Sequence, residues 1–313
     1  MRKSLANVCK QFSNKHTLVG EDRITRATIS DIQKYMERNA RNVKKTTKLH
    51  IQEIATDIDL QIICLTSLAI TCLESWQEQK KRRKIVMEDF PANDMNLGGC
   101  LLNIANTAMA INKLCLEGLD TQARVLVRTL DERLMQTPIL FASKEDYKEW
   151  HKAESPEDSK SAHYRVFARK KRLYKRHAEL ESICLGTEVS SELHAWKQEN
   201  EDFYSMAVHG ASSAVQIGSW AFDFGSEGMR PNLFGTASAA SIGTLKHTRF
   251  QLFWFMILFP AVLEKFHTWK PDVKDHWQKM YMVSKECIFG SAHEWLVPKN
   301  NLYFLPEICT KRY

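Results

Sequence analysis

Gly118-Leu-Asp-Thr-Gln-Ala-Arg-Val-Leu-Val-Arg-Thr-Leu-Asp-Glu132 is the stretch whose periodicity decides the fold class. On a wheel of 3.6 residues per turn, Leu119, Ala123, Leu126, Val127, Leu130 and Leu134 share one face. Arg124, Arg128 and Glu132 lie opposite, at i, i+4 and i+8. Val125, Met135 and Ile139 also point towards that second side. A helix apolar on more than one face is a central helix, and its charges are then enclosed. An enclosed charge must be paired and hydrogen-bonded, because desolvation otherwise costs several kcal/mol per ion. The alternative is an exposed Arg128–Glu132 pair on the outer face, worth about 0.3–0.5 kcal/mol.

The same period recurs along the chain, while alternating strand patterns and Asn-Gly hairpins are nearly absent. Helices are expected at roughly 28–46, 48–82, 97–116, 118–140, 144–153, 159–185, 188–217, 239–268 and 272–290. Thr25, Thr28 and Ser30 are candidate caps of the first. Ser155-Pro-Glu-Asp158 is a helix start, with proline in the first turn. Residues 218–243 differ: Gly218, Gly225, Gly228, Gly235 and Gly243 punctuate them, with Pro231 among them. A loop of this length is a lid, an interaction surface or a mobile connector. The fold expected is all-α, a multi-helix bundle of long antiparallel helices with one glycine-rich loop. It divides into an N-terminal helical extension (1–95), a helical core (96–290) and a C-terminal tail (291–313).

Composition is that of an ordinary globular protein: 313 residues, 44% hydrophobic and 26% charged, enough to bury a full core. A net charge of +7 permits an anionic partner without requiring one. The eight cysteines form no C-x-x-C pair, and most sit in apolar helical context. That pattern predicts reduced, buried thiols in a cytoplasmic protein with no metal site and no cofactor. The first ten residues lack an apolar signal core. Leu60–Leu73 and Phe250–Leu263 are uncharged but shorter than the ~20 residues a bilayer requires, so both are expected as core helices rather than membrane spans.

A second segment carries candidate chemistry. Ser205, His209 and Ser213 share a helical face, with Tyr204 beside them and Gly210 allowing close approach. A lone histidine on a helix is more often a satisfied structural residue than a catalyst. A serine–histidine hydrolase is disfavoured, because no G-x-S-x-G elbow or strand scaffold is present. No phosphate-binding or dinucleotide-binding glycine loop occurs either.

The run Gly118–Glu132, with Ala123, Leu126, Arg128, Leu130 and Glu132, resembles the signature helix of a bacterial helical family known only as a domain of unknown function. The stretch Trp196…Tyr204-Ser205…His209-Gly210 resembles that family's second signature, and the likeness spans about residues 100–215. Asp131 departs from it, standing where a large apolar residue is expected. The resemblance implies positions rather than a reaction. The helical character is also similar to that of the HEPN superfamily of nucleotide-binding and RNA-cleaving helical proteins, an analogy of fold alone. HEPN ribonucleases place an arginine and a histidine four to six residues apart, the arginine to steady phosphorane charge and the histidine to move a proton. Arg172-Leu-Tyr-Lys-Arg-His177 has that spacing, but residue frequencies alone produce about two such matches, and it lies outside both signatures.

The strongest basic feature is Arg165, Arg169, Arg172 and Arg176, spaced as one arginine stripe on the helix expected near 159–185. Arginine forks suit phosphate oxygens, and Phe167 and Tyr174 supply rings for stacking. The alternative is a solvated face balanced by nearby acids such as Glu179 and Glu181. Lys80-Lys-Arg-Arg-Lys84 adds cations at a helix C-terminus, where they complement the dipole. Two functions stay open. One is an RNA-directed, metal-independent nuclease of the toxin or phage-defence kind, with His209 as acid–base, Arg128 on phosphate charge and Glu132 orienting the arginine. The other is a non-enzymatic helical module whose Arg128, Glu132 and His209 form a structural polar network, and whose partner is another protein or a second copy.

Overall fold

The computed structural model describes residues 26–82, 94–152, 155–168, 172–186 and 235–266, with shorter pieces at 204–205, 208, 218–222, 224, 228–232, 275–276, 278–279 and 282. Among the described residues, seven α-helices carry the fold: α1 (Arg26–Arg82), α2 (Asp94–Leu116), α3 (Asp120–Ala142), α4 (Lys144–His151), α5 (Pro156–His163), α6 (Arg172–Leu185) and α7 (Ala240–Phe266). The protein is an all-α multi-helix bundle, as the periodicity implies.

α1 is a single helix of 57 residues rather than the two helices expected at 28–46 and 48–82. Thr46 and Thr47 lower helix propensity slightly, but no glycine or proline interrupts the ladder. Its C-terminal half buries Ile51, Ile58, Leu65, Leu68 and Cys72 in the same core as α2, α3 and α7. The segment expected as an extension therefore supplies one wall of the bundle. By length and composition α1 is apolar enough to cross a membrane, yet much of that apolar surface lies against neighbouring helices.

α7 is the central element, in contact with α1, α2, α3 and α6. Every residue from Gln251 to Phe259 is buried, so this helix has no polar face along that run. Phe259 packs edge-on against Phe141 of α3 and stacks on Phe255. The Phe250–Leu263 stretch is thus a core helix.

Two local expectations need correction. The helix expected over 159–185 is not uniformly α: α5 ends at His163, a π-helical turn follows directly at Tyr164–Ala168, residues 169–171 lie outside the described residues, and α6 is described from Arg172. Ser155 caps α5, accepting from the Asp158 N–H, with Pro156 behind it. The glycine-rich segment also contains strand. Trp220–Phe222 (β1) pairs antiparallel with Met229–Pro231 (β2), Ala221 facing Arg230. Three residues per strand are too few for alternation to register in sequence.

The described part of that segment is seated on the bundle. The Thr236 N–H donates to the Gly118 carbonyl at 3.1 Å, and Asn39 Nδ2 of α1 donates to the Gly235 carbonyl at 2.8 Å. Gly118 has φ +73°, and a Cβ there would lie 2.7 Å from the Thr236 backbone and 2.6 Å from Val43 Cγ1. The α2–α3 turn needs glycine for its backbone angle and for this close approach. Phe224 stacks on His50 of α1, ring centroids 4.2 Å apart. The expected helices at 188–217 and 272–290 lie largely outside the described residues.

Candidate functional site

α3 divides its charges between two environments. One side of the helix, Asp120, Arg124 and Asp131, turns into the bundle towards α7, and all three are buried. Asp120 and Arg124 form an i, i+4 ion pair, and the Thr244 hydroxyl of α7 donates to Asp120 Oδ1 at 2.6 Å. Asp131 Oδ2 meets His247 Nε2 at 2.9 Å, also buried. The Tyr204 ring lies 4.5 Å from the His247 ring, centroid to centroid. Tyr204 comes from the candidate stretch 203–210, so that stretch and α3 reach the same internal polar centre. Asp131 is the carboxylate that takes the histidine. Its Oδ1 is buried with no hydrogen-bond donor among the described residues.

Burial sets the protonation of this centre. It pushes the Tyr204 phenol well above its ordinary range, and the carboxylates of Asp131 and Asp120 add to the shift. Burial also pushes the Cys115 thiol up, with the Asp120 carboxylate in the same direction and Arg124 opposing. Both shifts favour the neutral phenol and the neutral thiol.

The other side of α3 carries the candidate catalytic pair. Arg128 Nη2 is 3.1 Å from Glu132 Oε1, with side chains 20% and 38% exposed. Arg128 Nη1 donates to the Tyr174 hydroxyl of α6, and its guanidinium stands 5.8 Å from the centre of that ring. The pair is neither enclosed nor free on the surface; it edges the α3–α6 contact. His209 lies outside the described residues, so its distance to Arg128 is not defined.

The arginine stripe is only partly described. Arg165 pairs with Glu149 and Arg176 with Asp146, both acids on α4, and Arg176 Nη1 also donates to the Val166 carbonyl. Arg169 and the side chain of Arg172 lie outside the described residues. Arg165 itself lies in the π-helical turn, where the residue count per turn differs from that of an α-helix, so the 3.6-residue spacing that defines the stripe does not apply there. His177 is a core residue: it sits 3.3 Å from Glu181, which accepts from the Trp254 indole N–H of α7 at 2.8 Å.

The remaining buried charges escaped the periodicity. Arg249 of α7, fully buried, is paired with Asp57 of α1, and Gln61 Nε2 donates to the Arg249 carbonyl at 3.1 Å. Burial lowers the hold of Arg249 on its proton, and Asp57 restores part of it. Asn112 of α2 bridges Asp59 Oδ1 and the Ala55 carbonyl of α1. A signal existed in the run Thr244-Leu-Lys-His-Thr-Arg249: polar residues in the first turns of α7, directly before its uncharged run Phe250–Leu263. Among the described residues no group of three or more His, Cys, Asp or Glu side chains could hold a metal ion. No protein-family model, curated protein or solved structure matches this chain.

Proposed function

We propose that this chain is a non-enzymatic helical interaction module, working in a reducing cytoplasm, whose polar centre is structural. The observation that carries this is the closure of the α3 charges on partners inside the bundle: Asp120 with Arg124 and Thr244, Asp131 with His247. Directional pairs of this kind penalise any slip of α3 against α7, since a one-residue rotation strands a buried charge. Desolvated thiol and phenol groups fit a packed interior better than an acid–base site. Another protein or a second copy is the partner. Trp220 and Met229, both exposed on the β1–β2 ribbon, offer apolar contact area for it.

One observation favours the RNA-directed alternative. Arg128 and Glu132 keep partial access to solvent beside Tyr174, as a phosphate-facing arginine would. In that case His209 supplies the acid–base step, and the toxin or phage-defence setting follows from the HEPN analogy alone.

The experiment is metal-free incubation of the full chain with labelled total RNA and a tRNA pool, with melting curves for each variant. A scaffold leaves the RNA intact, and Asp131→Ala lowers the melting temperature by stranding His247. Cleavage by the unaltered chain, lost in both Arg128→Ala and His209→Ala at unchanged melting temperature, overturns the scaffold function in favour of the nuclease.

A further inference from the structure

Among the described residues, a dense run of exposed positive charge lies on the N-terminal half of α1, away from the polar centre. From Lys34 to Lys48 the helix carries Lys34, Arg38, Arg41, Lys44, Lys45 and Lys48 against one acid, Glu37. Lys34 is engaged by Asp31 at 3.7 Å. Arg38, Arg41, Lys45 and Lys48 follow i, i+3, i+7 and i+10, which places them within an arc of about 80° on the helix. At 1.5 Å per residue the row is about 15 Å long. All four are exposed, with Lys44 flanking them. Among the described residues none of the four pairs with a carboxylate; Arg41 Nε donates only to the Glu37 carbonyl, at 3.3 Å.

The opposite side of the same stretch faces the protein. Val43 and Thr47 are its buried residues, and Val43 closes on the α2–α3 turn at Gly118. Packing thus turns the cations outward. The contrast with Arg165 and Arg176 is plain, because both of those are already held by carboxylates of α4.

We propose that this face of α1 binds the phosphate backbone of a nucleic acid without reading its sequence. Cations three and four residues apart on a helix stand about 5–6 Å from one another, forming a straight and evenly spaced row that suits a polyanion. Two of the four are arginines, whose forks take two phosphate oxygens at once. A membrane surface is the poorer match. An interfacial helix needs one continuous apolar face to bury in the lipid; here Val43 and Thr47 are covered by the bundle, and the exposed apolar residues Tyr35, Met36 and Leu49 are scattered along the helix and do not form such a face. The proposal goes beyond the scaffold function and does not depend on it, since the row shares no residue with the polar centre.

The test is fluorescence anisotropy of the full chain with a labelled single-stranded RNA and, separately, a labelled DNA duplex, each about two helical turns long or its equivalent. Four phosphate contacts give a salt slope near −2.8 for a single strand, so affinity falls about 50-fold between roughly 50 and 200 mM salt. The triple charge reversal Arg38→Glu, Arg41→Glu and Lys45→Glu leaves one contact of the four. It should weaken binding by at least ~10-fold and flatten the slope. Lys144→Glu with Lys160→Glu, exposed cations of α4 and α5, should change neither. Melting curves establish that the variants fold. If the triple reversal does not, Lys45→Gln with Lys48→Gln removes two charges without adding repulsion and should halve the slope. Preference for RNA or for the duplex then identifies the source of the phosphates. Unchanged affinity and slope in a folded variant overturn the proposal. So does binding to phosphatidylserine vesicles with neither nucleic acid bound.

Discussion

Replacing Arg249 by methionine removes the cation of a deeply buried ion pair and leaves the Asp57 carboxylate behind. In this pair the arginine side chain is 1% exposed and the carboxylate 11%. Neither partner can recover water without opening the α1–α7 contact, so each single replacement, Arg249→Met or Asp57→Leu, should cost about 3–5 kcal/mol. Replacing both removes both desolvation penalties and fills the space with apolar groups. The double variant should return to within about 1 kcal/mol of the parent or exceed it. Unfolding entropy near 2.1 cal/mol/K per residue gives about 0.66 kcal/mol/K for 313 residues. A loss of about 4 kcal/mol then lowers the melting temperature by about 6 °C in each single variant, and little in the double. Circular dichroism melts and guanidinium titrations of the four proteins form the cycle. Single variants that melt with the parent would refute the reasoning, because the charges would then be hydrated. A double variant as unstable as the two losses added would refute it as well.

Two further outcomes follow from the described geometry. Gly118→Ala should destabilise by at least ~2 kcal/mol, since φ is +73° and the new methyl meets the Thr236 backbone; Gly99→Ala, mid-helix with nothing near, should stabilise by about 0.5–1 kcal/mol. Equal melting temperatures for the two variants would contradict the seating of the glycine-rich segment on the α2–α3 turn. Burial pushes the Cys100 thiol up to about 11 from an ordinary value of 9.0. The native fold therefore favours the neutral thiol, and its contribution to stability is intact below pH 9 and lost as pH rises towards 11. Iodoacetamide at pH 9 should modify Cys100 far more slowly in the native than in the denatured protein, and equal rates would sink this account.

The helical class was legible because helix formation is local: a 3.6-residue period over 118–140 and an uncharged run over 250–263 each bury a face wherever they pack. The start of α5 was legible for the same reason, as Ser155 and Pro156 act within one turn. The single span of α1 and the change to a π-helical turn after α5 were not, since propensity differences there are small and packing decides them. Wheel geometry set Arg124, Arg128 and Glu132 opposite the apolar face. It could not tell that Arg124 goes inward to Asp120 while Arg128 turns to Tyr174, because that choice belongs to α6 and α7.

What the sequence by itself determined is the helical class, the apolar stripes that drive helices together, and the presence of charges those stripes would strand. Which charge meets which was decided only by tertiary structure. Asp131 finds His247 across 116 positions and Arg249 finds Asp57 across 192, separations over which no local period carries information. The cations of α1 make the same point from the outside. Their spacing was written in residues 38–48, but they face water because Val43 and Thr47, on the far side of the helix, are buried against the bundle.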